Sequence, residues 1–151
     1  MADCGACNLC CKLLQVPDIN KPARMLCWWT DIHGGCQRHK EKETDPSLQA
    51  CRQFKCVWLA SQDHEDETKR GKRFMRPDQT HVVFGPFDRE DPLLLYVQVD
   101  PEHPSAWKEP HVSAYLEEIL SKGAKVEIII DEIRIRFPEE GMSHANVAES
   151  I

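Results

Sequence analysis

The chain has 151 residues, with 19 Lys plus Arg and 25 Asp plus Glu, so its formal net charge is −6. This length suits one domain, or a small module joined to a compact partner. Its 29% charged and 41% hydrophobic residues indicate a soluble globular protein and argue against a disordered one. The acidic balance argues against nucleic acid as a partner, and no apolar run approaches the ~18 residues of a membrane span.

Cysteine is concentrated in the first part of the chain, which holds all eight: Cys4, Cys7, Cys10, Cys11, Cys27, Cys36, Cys51 and Cys56. In an exported small protein such a set would predict a disulfide framework. The N-terminus shows neither the basic nor the apolar region of a secretory signal, so we expect a cytoplasmic protein. There the set predicts metal binding or redox chemistry, with disulfides and buried free thiols as the alternatives.

The cysteine boundary also predicts the domain organisation. We expect a cysteine-cluster metal-binding module over residues 1–60, a polar linker over 61–73, a small α+β unit over 74–138 and a C-terminal tail over 139–151. The acidic run of the linker offsets its basic tract, which favours a solvated segment over a phosphate-binding one.

Within the module the predicted elements are short. Residues 8–15 have leucines near helical spacing and predict one or two helical turns. Residues 33–36, His-Gly-Gly-Cys, predict a turn, because paired glycines supply positive φ angles. A longer helix is predicted over 46–61, with Asp45 as its N-cap and Pro46 in its first turn.

The second part predicts a sheet and one helix. Strands are expected over 80–84, closed by Gly85-Pro86, and over 93–99, 125–131 and 133–137. Residues 112–120 place five apolar side chains on one helical stripe: Val112, Tyr115, Leu116, Ile119 and Leu120. The predicted fold class is therefore α+β, an irregular, metal-stabilised cysteine-rich module plus a small antiparallel sheet with one covering helix.

The sharpest motif is Cys4-Gly-Ala-Cys7-Asn-Leu-Cys10-Cys11. Thiolates are soft ligands for zinc, copper(I) and iron–sulfur clusters, and CxxCxxC spacing occurs in [4Fe–4S] loops that take a fourth, remote cysteine. Because Cys11 follows Cys10 directly, their side chains are expected to diverge. Together with the four later cysteines, the chain has enough thiols for two four-ligand sites.

Two kinds of metal centre fit these ligands, and the sequence leaves the choice open. The CxxCxxC series favours a [4Fe–4S] cluster. The four further cysteines and the turn before Cys36 favour Zn²⁺ in one or two cysteine-ligated sites, toward which we lean. The segment from Cys4 to Cys7 also has the form of a redox dithiol. Such a centre normally follows a strand and opens a helix, and only three residues precede Cys4.

The same residues carry a family resemblance. The run Cys4-x-x-Cys7-x-x-Cys10-Cys11, then Cys27 and Cys36, then Cys51-Arg-Gln-Phe-Lys-Cys56-Val-Trp-Leu59, resembles the bacterial YkgJ-type cysteine-cluster proteins over about residues 4–60. The resemblance implies a zinc- or iron-chelating domain with all eight cysteines in its pattern, and it implies no reaction.

Residues near the cysteines have two interpretations each. The aromatic side chains would tune a metal site or simply form the core: Trp28, Trp29, Phe54 and Trp58. Arg52 and Lys55 would offset thiolate charge or form salt bridges. His33 and His39 would replace a thiolate or lie in surface loops.

The remaining histidines are scattered along the sequence: His64, His81, His103, His111 and His144. Their spacing matches no ligand pair, so we expect no metal in residues 74–138.

No catalytic motif is visible, since the chain has no P-loop, no GxGxxG and no nucleophile elbow. The leading hypothesis is a cytoplasmic protein whose cysteine-ligated metal is chiefly structural. The alternatives are an iron–sulfur redox protein or electron carrier, and a zinc-stabilised adaptor that presents a surface to a protein partner.

Overall fold

The computed structural model of the chain describes residues 4–31, 33–71 and 75–139. Residues 72–74, which include the end of the predicted linker, and residues 140–151, most of the predicted tail, lie outside the described residues. The described residues combine short helices with a four-stranded sheet, which confirms the mixed α+β class. No helix in these ranges combines the length and apolar character that a membrane crossing requires.

The sheet has the strand order β1-β2-β3-β4, formed by Val82–Phe87, Leu94–Val99, Lys125–Ile130 and Ile133–Phe137. The β1–β2 and β3–β4 pairs are antiparallel, as predicted, but β2 and β3 pair in parallel. The prediction of an antiparallel sheet is therefore wrong for the central pair. A parallel pair needs a connection of a dozen or more residues, and the segment 100–124 supplies it together with its helix.

The first strand differs from its predicted bounds at both ends. It begins at Val82, because residues Pro77–Thr80 form a short helix, α4 in the numbering of the described helices. It continues through Gly85-Pro86 to Phe87, with a register shift between Phe84 and Phe87. Proline is tolerated here because β1 is an edge strand, where a missing backbone N–H leaves no partner unpaired.

The covering helix is α5, Pro110–Ser121. The predicted stripe is confirmed: Val112, Leu116 and Leu120 are at most 1% exposed and pack in one cluster with the inward side chains of all four strands. The chain leaves the helix at Gly123, whose φ of 90° is the left-handed conformation that glycine favours.

The first half of the chain contains three short helices: α1, Leu9–Leu13; α2, Gln49–Gln53; and α3, Val57–Gln62. The first confirms the predicted helical turn. The long helix predicted over 46–61 is wrong in its continuity, because a 3₁₀ turn at Pro46–Leu48 precedes α2 and the backbone is extended between α2 and α3. The Asp45 cap is confirmed, since its carboxylate accepts a hydrogen bond from the Ser47 amide at 2.9 Å.

The two halves share a second apolar cluster. Leu9, Leu13 and Leu59 pack with Cys56 and with Val83, which points from β1 away from α5. The described part of the predicted linker folds back on α3, where the Gly71 amide donates to Ser61 Oγ at 2.9 Å. The cysteine-rich half therefore packs on β1, through Val83 on the face opposite α5 and through Val57 of α3 at the margin of the α5 cluster.

Candidate metal centre

All eight cysteines line the same cavity, which has a volume of about 360 Å³, and all are free thiols in the structure. The loop before α1 carries Cys4 and Cys7, and α1 itself carries Cys10 and Cys11. The other four come from loops and from α2 and the N-cap of α3: Cys27, Cys36, Cys51 and Cys56. The fold thus collects side chains that are up to 52 positions apart in sequence around one space.

Backbone hydrogen bonds fix the ligand loops. The Cys7 amide donates to the Cys4 carbonyl at 2.9 Å, which closes the turn of the first Cys-x-x-Cys pair. The Cys27 amide donates to the Cys11 carbonyl at 3.1 Å and so attaches the second loop to α1. The break between α2 and α3 places Cys56 at the N-cap of α3, where its Sγ accepts from the Leu59 amide at 3.4 Å.

The predicted glycine turn is confirmed, and it packs directly on the first cysteine loop. Gly34 and Gly35 have φ of 85° and 81°. A Cβ on Gly35 would lie 2.5 Å from the carbonyl oxygen of Gly5, and one on Gly34 would overlap the carbonyl of Ala6. Only glycine allows this approach, so the turn both presents Cys36 and supports the Cys4–Cys7 loop.

The thiols are not evenly arranged. Cys10 lies within hydrogen-bonding reach of both Cys4 and Cys11, so the two adjacent side chains, expected to diverge, interact instead. Among the described residues, one group of three metal-binding side chains has its ligand atoms within 4.8 Å of one another, and that group contains no cysteine. No three of the eight cysteine Sγ atoms are therefore that close together. The thiols therefore surround the cavity and do not converge on one point.

Burial determines how these thiols titrate. It raises the pKa of Cys7 to about 11 and raises the pKa of Cys56. The hydrogen bonds that the Cys10 thiol donates to Cys11 and Cys4 raise the pKa of Cys10, and the bond that Cys11 accepts lowers the pKa of Cys11. Burial also raises the pKa of Cys36 and Cys51. Five of the eight cavity thiols therefore hold their protons more firmly than a free thiol, and a metal must displace those protons to bind.

A buried lysine lines the same cavity, and the sequence analysis did not single it out. Lys21 is only 1% exposed. Its ammonium donates to the Pro22 carbonyl at 2.9 Å and also to the carbonyls of Lys12 and Leu14. Burial lowers its pKa, and negative charge on the neighbouring cysteines would act in the opposite direction. No sequence signal marks a lysine for burial, since its three carbonyl partners come from the chain's path and not from a motif.

The cations predicted to offset thiolate charge lie elsewhere. Arg52 donates to the Glu43 carbonyl at 3.0 Å and Lys55 pairs with Asp63 at 3.3 Å, and neither lines the cavity. The cationic side chains that do line the cavity are those of Lys21, Arg38 and Lys42. Arg38 also stacks over the Trp29 ring, with 4.5 Å from its guanidinium carbon to the ring centroid.

The aromatic and histidine neighbours divide between the cavity and other places. Trp29 and Phe54 line the cavity, Trp58 packs against the Leu9 cluster, and Trp28 is 50% exposed. His33 is exposed and does not line the cavity, whereas the side chain of His39 lies outside the described residues.

Among the histidines that appeared scattered, two come together. His81 and His103 stack with ring centroids 3.6 Å apart, outside the cavity and beside Asp100. Burial and the neighbouring His103 lower the pKa of His81.

No family model, curated protein or solved structure matches the chain. The resemblance to the YkgJ-type proteins therefore depends on the cysteine motif and its flanking residues alone.

Proposed function

We propose that the first half of this chain is a metal-binding module whose metal is held by cysteine thiolates. One observation carries the proposal: every cysteine of the chain lines the same cavity, although they come from five separate segments. Buried free cysteines packed only as small apolar groups have no reason to gather in this way. Thiolate donors around one space are the ligand set of zinc and of iron–sulfur centres.

The charge around the cavity supports the same function. Metal centres with four thiolates are anionic, because the ligands carry more negative charge than the metal neutralises. Lys21, Arg38 and Lys42 line the cavity, and Lys21 is held there despite full burial. A buried ammonium is costly unless negative charge lies close to it, and a thiolate–metal centre supplies that charge.

We propose a chiefly structural role for the metal. The helices of the module have five or six residues each, and helices this short are marginal without tertiary support. The links among the ligand loops are few backbone hydrogen bonds and one small apolar cluster. Ligation would therefore contribute directly to the free energy of folding.

A [4Fe–4S] cluster is the second candidate, and the spacing of the sulfurs favours it. Tetrahedral zinc with Zn–S bonds of ~2.3 Å holds its four sulfurs about 3.8 Å apart. No three cavity sulfurs lie within 4.8 Å of one another, as the described residues show. Such an arrangement suits a multinuclear centre with the cysteines around its outside, and with it an electron-transfer role.

The adaptor alternative also has an observation in its favour. Met25, Leu26 and Trp28, which flank Cys27, are 53%, 47% and 50% exposed. Exposed apolar side chains beside a metal-held loop are typical of a surface that contacts another protein. We propose the cytoplasm as the compartment, because it keeps cysteines as free thiols.

The deciding experiment is metal and acid-labile sulfide analysis of full-length protein purified without oxygen. Zinc without sulfide and a colourless protein would establish the zinc centre. Iron with equimolar sulfide and a brown protein would establish the cluster. Protein that holds neither after purification and after reconstitution with either metal would contradict the proposed function.

A further inference from the structure

A second group of metal-binding side chains lies outside the cysteine cavity. His81, Asp100 and His103 each offer one ligand atom, and the three atoms lie within 4.8 Å of one another. The two imidazole rings stack nearly parallel, with 16° between their planes. Asp100 is buried, 4% exposed, whereas His103 is exposed, so the group is open to solvent on one side.

The sheet register explains why residues 22 positions apart meet here. Val82 pairs with Val99 at the end of the β1–β2 ladder, so the residues just beyond them, His81 and Asp100, face each other. The Asp100 amide donates to the His81 carbonyl at 2.9 Å, and the His103 amide donates to the Asp100 carbonyl at 2.8 Å. These backbone bonds hold all three residues in a rigid frame, which a ligand site requires.

The sequence spacing predicted no metal in residues 74–138, but from this geometry we propose that His81, Asp100 and His103 form a second metal site, for a divalent transition metal such as Zn²⁺. Two imidazoles and one carboxylate are borderline donors that suit zinc and its neighbours in the first transition row. Metal–ligand bonds of ~2.1 Å in tetrahedral geometry place the ligand atoms about 3.4 Å apart, and the three atoms already lie within 4.8 Å of one another. Three protein ligands leave one coordination position for water or an exogenous ligand.

Lys12 connects this site to the cysteine cavity. Its ammonium lies 2.9 Å from Asp100 Oδ1 and 3.1 Å from Oδ2, and it also contacts Glu102. Lys12 follows Cys11 in α1, so the same short helix carries a cavity ligand and the cation that neutralises Asp100. The metal and the ammonium compete for one carboxylate, and Glu102 gives the displaced ammonium an alternative partner.

The test uses full-length protein that retains its cysteine-bound metal, with Zn²⁺ as the probe and the histidine imidazoles followed by NMR. We expect the signals of His81 and His103 to shift together and to stop shifting at one added equivalent. His103→Ala should weaken this binding ten-fold or more, and His111→Ala, an exposed histidine on α5, is the matched control. His81→Asn should weaken binding as His103→Ala does, because it also removes an imidazole ligand. Asparagine is the replacement at this position because it tolerates the φ of 59°.

The variants also separate this site from the cysteines. The metal bound by the cysteines should be unchanged in His103→Ala, so failure of one site leaves the other testable. Lys12→Met should tighten Zn²⁺ binding several-fold, because it removes the competing cation. Unchanged His81 and His103 signals in excess Zn²⁺, or an equal loss in His111→Ala and His103→Ala, would overturn the proposal.

Discussion

The ammonium of Lys12 lies 2.9 Å from Asp100 Oδ1 and so joins helix α1 to the end of strand β2. The Asp100 side chain is 6% exposed and that of Lys12 27%, so this pair is better shielded from water than the Lys122–Glu118 pair at the end of α5, whose side chains are 69% and 58% exposed. Because α1 also carries Cys10 and Cys11, the ion pair ties the cysteine cavity to the sheet.

We expect Lys12→Met to destabilise the protein by about 1–2 kcal/mol, since it leaves a buried carboxylate without its cation. Urea denaturation at neutral pH measures this change. Lys122→Met is the matched control, because it removes an exposed lysine paired with Glu118 on the outside of α5. The control should be indistinguishable from the wild type, and equal losses in both variants would contradict a special role for the Lys12 pair.

The contribution of Asp100 to folding stability should change with pH in opposite directions in Lys12→Met and in the wild type. Burial raises the pKa of Asp100, but the Lys12 ammonium and the Glu102 amide outweigh it and hold that pKa below its usual range. The wild-type carboxylate therefore stabilises the fold above the unfolded pKa of ~3.9, and this contribution is lost as the pH falls through the lowered value. Without Lys12 burial dominates and raises the pKa above the unfolded value, so the stability of the variant should increase relative to wild type from pH 7 toward pH 4.

The glycine turn gives a prediction with a control in the same chain. Gly35→Ala should cost about 2–4 kcal/mol, because it combines a positive φ with overlap against the Gly5 carbonyl. Gly123→Ala has a similar φ of 90° but no atom within 4 Å of the new Cβ, so it should cost only about 1 kcal/mol. Gly35→Ala should also lower the metal content, whereas Gly123→Ala should not. Equal metal content in both would show that the turn does not support the ligand loop.

How far the sequence predicts this protein depends on the range of the interaction involved. The α5 stripe and the Asp45 cap are local patterns, and both were predicted correctly. The parallel β2–β3 pair was not, because strand direction depends on how the intervening chain packs and not on the strand residues themselves. The contact between His81 and His103 depends on the β1–β2 register, which the spacing of the two histidines does not reveal.

In the candidate metal site, too, the sequence reveals the local pattern but not the long-range arrangement. The cysteine spacing identifies the ligands, but their arrangement around one cavity with Lys21 buried beside them is a property of the tertiary fold. Arg52 and Lys55 are next to Cys51 and Cys56 in sequence and still bond away from the cavity. Proximity in sequence thus identified the wrong cations, because Arg52 on α2 and Lys55 between α2 and α3 each bind a partner outside the cavity.

Lys21 should matter more to the metal-bound protein than to the metal-free one. We expect Lys21→Met to weaken metal retention in a chelator competition by ten-fold or more, because it removes the buried positive charge beside the thiolates. Lys55→Met, which removes an exposed lysine paired with Asp63, is the control and should retain metal as the wild type does. If Lys21→Met lowered the stability of metal-free and metal-bound protein equally, its role would be to bind the three carbonyls alone.

The ligand set itself predicts a grouped response to substitution. Cys4, Cys7 and Cys10 should behave alike, since the loss of any one ligand opens a shared centre to water. Each Cys→Ser variant should lower metal content by a similar factor, of ten-fold or more. Ala6→Ser, an exposed position in the same loop, controls for the added hydroxyl. Full metal content in Cys7→Ser beside a loss in Cys4→Ser would show that the two residues do not share a centre.

Removal of the metal should expose how much of the fold depends on it. The module packs on the sheet through Leu9, Leu13 and Leu59, which contact Val83 of β1. The inner cluster of α5 with β2 and β3 contains none of these three side chains and meets the module at its margin, through Val57 of α3. It has its own fully buried residues, among them Leu95, Leu116 and Ile128. We therefore expect a strong chelator to unfold the module and loosen β1, while the inner cluster stays folded.

Hydrogen exchange on the full chain, with and without chelator, measures this directly. Amide protection should be lost over residues 4–62 and reduced in Val82–Phe87, and it should persist in Leu94–Val99, Lys125–Ile130 and Pro110–Ser121. The edge position of β1 makes it the strand most sensitive to the module, because its outer side has no other strand to protect it. Uniform loss of protection across all four strands would mean that module and sheet unfold as one cooperative unit. Unchanged protection in the module, with the metal shown to be removed, would mean that the thiol cavity is formed without a metal and that ligation adds little to the fold.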